Sequence, residues 1–322
     1  MNPRFTLRRV MIGVAIALAA SACAQQPAAP DRAPPAPHAA APLCRDVFLR
    51  MPELPEVETT RRGIAPHVIG RRVERIVVYD SRLRWPVPAD LDSRMRGRTI
   101  DRVDRRSKYL LFHAGDSALL VHLGMTGTLR LFRNPHPRRT HDHVDIVLDD
   151  GTLLRYHDPR RFGAMLWLAA SRDGHPLLDS LGPEPFDAAF DAAYLWRATR
   201  SRRAAIKLVL MDNHVVTGVG NIYANEALFR AAIHPGTRAN RLSRPRLARL
   251  VDAVRDVLSA AIAKGGSTLR DYVGSDGASG YFQLEYFVYG REGDRCRVCG
   301  GTIRQSRQGG RSSFYCTRCQ RR

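Results

Sequence analysis

The run Met-Pro-Glu-Leu-Pro-Glu-Val-Glu at residues 51–58 begins with a proline that could act as a nucleophile. An initiator Met is normally trimmed before Pro, and removal of Met51 would leave Pro52 with a free secondary amine. An α-amino group has a pKa of about 8, so part of it is unprotonated and nucleophilic near neutral pH. Its attack on a sugar C1′ would form an iminium ion, which permits bond cleavage by elimination. A proline that merely opens a helix is the alternative explanation.

Four cysteines near the C-terminus have the spacing of a metal site. Two C-x-x-C pairs flank a sixteen-residue spacer rich in Gly, Ser and Arg, and two such knuckles hold a tetrahedral zinc ion. Four thiolates leave no open coordination position, so the predicted zinc is structural; two disulfides are the alternative. We expect the arginines of the spacer to hold a phosphate. The predicted ligands are Cys296, Cys299, Cys316 and Cys319, and the spacer arginines are Arg304, Arg307 and Arg311.

The chain is strongly basic, with a formal net charge of +20 over 322 residues. Residues 51–322 keep +16 of this charge, because the first fifty residues hold six Arg and two Asp. Such a surplus indicates a polyanionic partner, and nucleic acid is favoured over a membrane because no basic amphipathic helix stands out. A basic protein from an Arg-rich proteome is the alternative. Only three of the 51 basic residues are lysines (Lys108, Lys207, Lys264), and lysine, unlike arginine, can exchange a proton.

One helix and a set of short strands must position the residues around Pro52. Leu54 to Ile69 has apolar residues at helical spacing and is followed by Gly70. The period then changes to two, and the Asp-Asp-Gly turn at 149–151 predicts a hairpin. Six short strands after one helix indicate an antiparallel sandwich or barrel. The predicted strands are Val73–Tyr79, Tyr109–His113, Leu119–His122, Thr128–Phe132, Val144–Leu148 and Leu153–Tyr156.

A helical region follows the linker at Leu181–Pro185. Within it, Gly218 and Gly220 lie in a turn that leads directly into a helix beginning at Asn221. Backbone amides at such a helix start can bind phosphate, and Asn221 could cap the helix or contact the phosphate itself. The predicted helices are Ala188–Arg200, Arg203–Asp212, Asn221–Ala232 and Arg244–Lys264.

The first fifty residues differ in composition from the rest. Three arginines precede an apolar run from Val10 to Ala20, and Cys23 and an Ala/Pro-rich stretch follow. This pattern is typical of a secretory signal and a linker, and the apolar run is too short to span a bilayer. Export would leave Pro52 in an ordinary peptide bond. We therefore expect residues 1–50 to be absent from the working protein, with Met51 as the initiator.

Several segments together resemble one family. They are residues 51–58, the HLGM run at His122–Met125, the DPRRFG run at Asp158–Gly163, residues 211–224 with their Gly-Val-Gly-Asn turn, and the terminal Cys₄ knuckle. From residue 51 to the C-terminus the chain resembles formamidopyrimidine-DNA glycosylase, the bacterial enzyme that removes oxidised purines from DNA. Residues 1–50 have no counterpart in that family.

The resemblance implies an α+β multidomain fold. An N-terminal antiparallel β-sandwich with flanking helices would occupy residues 51–181, a helix–two-turn–helix domain residues 187–290, and a zinc-finger hairpin residues 291–322. Double-stranded DNA with an oxidised purine would lie in the cleft between the domains. One structural Zn²⁺, a monomeric state, a cytoplasmic location and no membrane contact complete these expectations.

The resemblance also implies catalytic roles. Pro52 would be the nucleophile at C1′ of the damaged nucleotide, and Glu53 would be the acid that helps to open the sugar ring, which requires a protonated carboxyl. Lys108 would contact a backbone phosphate and support β-elimination. Arg311 would clamp the phosphates at the lesion and support the second, δ-elimination.

Other positions would bind DNA or fill the gap left by an everted nucleotide. A flexible Met125, a cationic Arg160 and an aromatic Phe162 suit the gap-filling task, although core packing is the alternative for Met125 and Phe162. Arg202 stands where a lysine of the family is expected, so only its charge is carried over. The remaining implied DNA contacts are His141, Arg160, Lys207 (at the lesion pocket) and Asn221.

Some assignments stay less specific. Glu56 and Glu58 are assigned only as first-turn acids that complement the helix dipole. The Gly- and Ser-rich segment Ser267–Phe282 could be a loop over the everted base. The related endonuclease VIII, which prefers oxidised pyrimidines, is disfavoured because its opening and its gap-filling residues differ. An inactive, exported DNA-binding zinc protein is the alternative if the leader is retained.

Overall fold

The computed structural model describes residues 52–133, 136–169, 175–265 and 286–321. The chain divides into two units, Met1–Val47 and Phe48–Arg322, and all the described residues belong to the second unit. The leader at residues 1–50 and the predicted loop Ser267–Phe282 lie outside the described residues.

Helix α1, Leu54–Val68, begins directly after Pro52 and Glu53. A capping box starts it: Glu53 is the N-cap, and the Glu56 side chain accepts a hydrogen bond from the Glu53 amide. The apolar positions that predicted the helix form its buried face, which confirms the helical period. These fully buried residues are Leu54, Val57, Ile64 and Val68.

Two four-stranded antiparallel sheets follow α1, with the strand orders β1-β6-β7-β5 and β2-β3-β4-β8. The turn at residues 149–151 joins β6 to β7, which confirms the predicted hairpin. The strands are β1 Val73–Val78, β2 Arg102–Arg106, β3 Tyr109–Ala114, β4 Ser117–His122, β5 Thr128–Phe132, β6 Asp142–Leu148, β7 Leu153–His157 and β8 Ala164–Leu168.

Two strands and two short α-helices, Leu91–Met95 and Pro176–Asp179, lie where the sequence predicted none. Strand β2 has charged residues at four of its five positions and therefore lacks an apolar alternation. Strand β8 is apolar throughout, and periodicity does not distinguish such a run from a buried helix. Helix α2, Leu91–Met95, is a single turn buried through its first and last residues.

The two sheets and α1 share one hydrophobic core, which includes Val57, Val103, Phe112 and Tyr156. Helix α1 contacts strands β2, β3 and β5 of the sandwich and also the long helix α7, Arg244–Gly265, of the helical region. The N-terminal end of α1 is therefore held between the two halves of the fold.

The helical region has its own hydrophobic core, formed mainly by α4 to α7. Two of its helices begin later than predicted. Helix α4 begins at Ala192 because the Asp191 side chain caps it by accepting the Tyr194 amide at 2.6 Å. Helix α5 begins at Ile206 because Ala205 pairs with Arg238 in a β-bridge. The remaining helices are α3 Pro176–Asp179, α4 Ala192–Thr199, α5 Ile206–Leu210 and α6 Asn221–Arg230.

The C-terminal segment is a β-hairpin, β9 Ile303–Gln308 and β10 Arg311–Cys316, as the spacer between the cysteine pairs predicted. Gly309 and Gly310 form its turn, and both adopt positive φ angles of 53° and 75°. No helix in the described part of the chain is long and apolar enough to cross a membrane.

Candidate active site and DNA-binding surface

Glu53 lies where the β-sandwich meets the helical region. Its carboxylate accepts hydrogen bonds from three backbone amides at the start of α6, those of Gly220 and Ile222 at 2.9 Å and of Tyr223 at 3.4 Å. The residue is 1% exposed. Burial raises the pKa of Glu53 above its usual value, while Lys108 and the three amides oppose the rise. The carboxyl can therefore hold a proton, and the proline before it is fixed at the same junction.

The turn before α6 must approach α1 closely. A Cβ on Gly220 would lie 2.2 Å from Cδ of Glu53, and a Cβ on Gly218 would lie 2.7 Å from Cδ1 of Leu54. The Leu54 amide also donates to the Gly218 carbonyl at 3.1 Å. The sequence predicted that the amides of this turn bind phosphate, but in the structure they bind the Glu53 carboxylate.

Glu56 is more than the first-turn acid that the sequence indicated. One carboxylate oxygen accepts the Glu53 amide at 2.9 Å and the other accepts the Tyr223 hydroxyl at 2.6 Å. Burial, reinforced by the neighbouring Glu53, raises the pKa of Glu56 to about 7. The sequence contained a signal for this role, because Glu56 stands three residues after the N-cap, where a capping box places Glu or Gln. Glu58 was likewise predicted only to complement the helix dipole, but in the structure it forms ion pairs with Arg61, Arg62 and Arg105.

Lys108 lies in the turn between β2 and β3, directly after Ser107, whose φ is +58°. The linker residue Glu184 holds this turn: it accepts the Ser107 amide at 2.6 Å, Nη1 of Arg105 at 2.7 Å and Nη1 of Arg106 at 3.1 Å. Burial lowers the pKa of Lys108, which Glu53 opposes and Arg311 reinforces. Lys108 therefore lies within electrostatic reach of both Glu53 and Arg311.

Arg311 and Lys207 occupy adjoining but different environments. Arg311 is the first residue of β10 and is exposed. Lys207 is fully buried, and its ammonium donates to Ser312 O at 2.6 Å and to Ser313 Oγ at 2.7 Å. Burial, with a smaller contribution from Arg311, lowers the pKa of Lys207 to about 8. These two hydrogen bonds anchor the zinc hairpin to α5.

His122 belongs to the same site and was missed from the sequence, although it opens the HLGM run. Its Nδ1 accepts the Gly124 amide at 3.2 Å, and its ring lies 5.1 Å from the ring of Tyr109. Burial, with smaller contributions from Lys108 and Arg84, lowers the pKa of His122 to about 4. The imidazole is therefore neutral at physiological pH, and its proton lies on Nε2 because Nδ1 accepts the Gly124 amide.

Two neighbouring loops carry the proposed gap-filling residues Met125, Arg160 and Phe162. Asp158, fully buried, joins the loops by accepting Thr126 Oγ1 at 2.7 Å and the Gly163 amide at 2.9 Å. Phe162 is 43% exposed, and the guanidinium of Arg160 lies 4.9 Å from the centre of its ring. Phe162 is therefore not a core residue, and Met125 is only partly buried.

The remaining predicted DNA contacts differ in their exposure. His141 is exposed, has a φ of +73°, and lies 6.2 Å from the ring of His157. Arg202 forms a half-exposed ion pair with Asp212 at 2.8 Å. Within the described ranges, Oδ1 of Asn221 is buried without a hydrogen-bond partner. Such a group favours a ligand that can donate to it or reorient it.

The four cysteines converge on one point, with all four Sγ atoms within 4.8 Å of one another. Two Sγ pairs are 3.4 and 3.8 Å apart, and tetrahedral Zn–S bonds of 2.3 Å require about 3.8 Å between sulfurs. A disulfide needs about 2.05 Å. The thiols are unbridged, so the donor set, its geometry and its closed tetrahedral shape fit a structural zinc ion.

Three family descriptions match consecutive parts of the chain. The formamidopyrimidine-DNA glycosylase N-terminal domain matches residues 51–165, the H2TH domain of the same enzyme matches residues 181–273, and a zinc finger found in FPG and IleRS matches residues 293–322. These matches define the class as DNA-repair glycosylases with a helix–two-turn–helix domain and a C-terminal zinc finger.

Curated relatives and solved structures agree with this class. Formamidopyrimidine-DNA glycosylases of Cupriavidus pinatubonensis and Thioalkalivibrio sulfidiphilus are each 58% identical, matching 84% of this chain and 100% of their own length. The Lactococcus lactis enzyme bound to DNA containing an AP site is 32% identical, with a TM-score of 0.75 over 84% of this chain and 100% of that chain. The chain belongs to the formamidopyrimidine-DNA glycosylase family, and its four cysteines form the one structural zinc site of the finger.

Proposed function

We propose that this protein removes oxidised purines, namely 8-oxoguanine and formamidopyrimidines, from double-stranded DNA and then cuts the strand at the abasic site. The observation that carries the proposal is the setting of Pro52 and Glu53. The Glu53 carboxyl is buried on the first turn of α6, and Lys108 with its lowered pKa acts on it electrostatically. A nucleophilic amine beside a protonated carboxyl and a cation suits attack at a sugar C1′.

The first stage replaces the bond between sugar and base by a bond to the protein. The unprotonated Pro52 amine attacks C1′, and the base leaves with the electron pair of its glycosidic bond and takes up the proton that the amine releases. Glu53 donates its proton to the ring oxygen O4′, and the C1′–O4′ bond breaks. A Pro52–C1′ iminium ion remains.

The second stage cuts the strand. The iminium ion withdraws electrons from C2′, so loss of a C2′ proton breaks the C3′–O bond, and loss of a C4′ proton then breaks the C5′–O bond. Lys108 supports the first elimination and Arg311 the second, because each neutralises a leaving phosphate. Water hydrolyses the iminium ion and releases Pro52 with an unsaturated aldehyde. The strand is left with a gap that has phosphate at both ends.

The surrounding surface binds and bends the duplex. The surplus of +16 on residues 51–322 attracts the phosphates, and His141, Arg202 and Asn221 contact them individually. Met125, Arg160 and Phe162 enter the stack and hold the widowed base once the damaged nucleotide is everted. Solved complexes of the Lactococcus lactis enzyme with Fapy-dG-containing DNA support this proposal.

Oxidised pyrimidines are the second candidate substrates, since a Lactococcus lactis relative has been solved with DNA containing an oxidised pyrimidine. We favour purines because the HLGM and DPRRFG runs resemble the purine-specific enzyme. Competition between two duplexes, one with 8-oxoguanine and one with an oxidised pyrimidine, measures the preference. A higher kcat/KM for the pyrimidine duplex would overturn the proposed preference for oxidised purines.

The mechanism requires Pro52 at the start of the working protein. The family match begins at residue 51, and curated relatives match this chain over their whole length. We propose Met51 as the initiator and place the working domains at residues 51–181, 187–290 and 291–322 of a monomeric, cytoplasmic enzyme. Mass spectrometry of the native N-terminus tests the start directly.

Borohydride trapping tests the nucleophile, because it reduces an iminium ion to a stable adduct. The form that starts at Pro52 should form an adduct with a duplex containing 8-oxoguanine. Pro52→Gly keeps a terminal amine and should retain part of the trapping, whereas N-acetylated protein and the full 322-residue form should lose it. Equal trapping by the full-length form would exclude Pro52 as the nucleophile and make Lys108 the first candidate for that role.

A further inference from the structure

The outer edge of strand β10 is bound by side chains of the helical region. Strand β9 pairs with one edge of β10, and α6 packs on the other side. The alternate residues Ser312, Phe314 and Cys316 turn backbone groups toward this outer edge. An unpaired edge leaves N–H and C=O groups that need partners when they are buried.

Two of these partners come from the DNA-binding helices. Lys207 on α5 donates to Ser312 O at 2.6 Å, and Oδ1 of Asn225 on α6 accepts the Phe314 amide at 2.8 Å. Lys207 and Asn225 are fully buried, and Phe314 is 4% exposed. Water therefore cannot replace either hydrogen bond without opening the contact between β10 and the helices.

Asn225 makes a second hydrogen bond that connects the two parts of the surface. Its Nδ2 donates to Asn221 O at 2.6 Å, in the first turn of α6. One buried amide thus joins the turn that presents Asn221 to the strand that begins with Arg311. Asn221 and Arg311 are both proposed to contact DNA phosphates.

We propose that Asn225 is a positioning residue that sets the register of the zinc hairpin on α6 and so aims Arg311 at the lesion phosphates. Side chains alternate along a strand, so a slip of one residue would turn Arg311 to the opposite face. The zinc ligands lie at the far end of the hairpin, whereas Lys207 and Asn225 bind β10 at Ser312 and Phe314, nearer to Arg311. This inference rests on the proposed function, because it assigns Arg311 to the second elimination.

The test compares Asn225→Leu, which removes both hydrogen bonds, with Asn225→Asp, which keeps the acceptor for the Phe314 amide. On a duplex with a preformed abasic site, Asn225→Leu should lower the δ-elimination rate about tenfold or more, since small misplacements of catalytic groups are costly. Products ending at the β-elimination stage should accumulate. Borohydride trapping by Pro52 and the zinc content should stay at wild-type levels. Asn225→Asp should restore the wild-type product ratio.

Hydrogen exchange of the Phe314 amide gives a readout that does not require catalysis: exchange should accelerate in Asn225→Leu and remain slow in Asn225→Asp. Gln305→Leu is the matched control, because this exposed amide lies opposite Phe314 in the hairpin and should change neither readout. A wild-type product ratio and slow exchange in Asn225→Leu would overturn the inference. Failure of the wild-type protein to be trapped would instead overturn the proposed function, while the exchange data would still test the anchor.

Discussion

At the scale of single residues, the site depends on groups whose protonation is controlled by burial. Glu53 and Glu56 have raised pKa values, and Lys108 and His122 have lowered ones. Each shift favours the neutral form, as expected for groups taken out of water. Near neutral pH the site therefore combines carboxyls that can hold a proton, a lysine that loses its proton more readily than usual, and a neutral imidazole.

Glu56 makes the folding stability depend on pH. Its pKa is about 7 in the folded protein and 4.5 ordinarily, so the folded state retains a proton that the unfolded state releases between these values. Its contribution to stability is therefore present below about pH 4.5 and is lost as the pH rises through about 7. Glu56→Gln should flatten this decline by roughly 1–3 kcal/mol.

Chemical denaturation at pH 5 and pH 8 measures this change. Glu58→Gln, on the same helix, leaves the proton of Glu56 in place and should keep the wild-type decline. An unchanged decline in Glu56→Gln would show that another group is responsible.

At the scale of elements, two loops that contact each other carry the proposed gap-filling side chains. Asp158 joins the loop of Met125 to the loop of Phe162 through Thr126 and Gly163. A Cβ on Gly124 would lie 2.5 Å from the backbone of Phe162 and Gly163, so the loops touch directly. They should therefore enter a duplex as one unit.

Removing either gap-filling side chain should impair excision more than binding. Met125→Ala and Phe162→Ala should each slow release of 8-oxoguanine opposite cytosine about tenfold, equal to about 1.4 kcal/mol of barrier. Binding to undamaged duplex should change little, because it comes from phosphate contacts with a steep salt dependence. Phe186→Ala, which truncates another Phe that is 42% exposed, is the control. Wild-type excision by both variants would show that they do not fill the gap.

The zinc hairpin should depend on its metal, because a small hairpin has little core of its own. Cys299→Ser or chelation should abolish DNA binding and release zinc while the β-sandwich stays folded. Metal analysis, a DNA-binding assay and circular dichroism measure the three effects. Val298→Ser, at a 67% exposed position of the same knuckle, should change none of them. Purified protein with two disulfides and no metal would contradict this prediction.

At the scale of the whole molecule, the site forms where the two halves of the described fold meet. Helix α1 contacts both the sandwich and α7, and Glu53 binds the first turn of α6. The linker contributes as well, since Glu184 holds the turn that carries Lys108. A substitution in the linker should therefore change the rate of strand cleavage.

Glu184→Ala should destabilise the protein by about 3 kcal/mol, because it removes the carboxylate that Arg105 and Arg106 share in a partly buried network. It should also slow strand cleavage at a preformed abasic site, since the Lys108 turn loses the acceptor of its Ser107 amide. Denaturation and single-turnover cleavage measure these effects. Glu74→Ala, at an exposed position of β1, is the control. If Glu184→Ala cleaves at the wild-type rate, the linker does not position Lys108 for cleavage.

Features that depend on neighbours in the chain were determined by the sequence alone. The helix after Pro52, the hairpin at residues 149–151 and the zinc knuckles each come from local spacing, and the family motifs located Glu53, Lys108 and Arg311. Strands β2 and β8 were not predicted, because neither alternates between apolar and polar residues. Strand β2 is charged at nearly every position, and β8 is apolar at every position.

Only the tertiary structure decided what each polar group binds. The amides at the start of α6 donate to Glu53, which lies 167 or more residues away in the chain, and not to a phosphate. Lys207 is buried against Ser312 and Ser313, about a hundred residues away, and Asn225 is tied to Phe314. Partners so distant leave no periodic signal, because their proximity arises from packing of the two cores and not from local propensity.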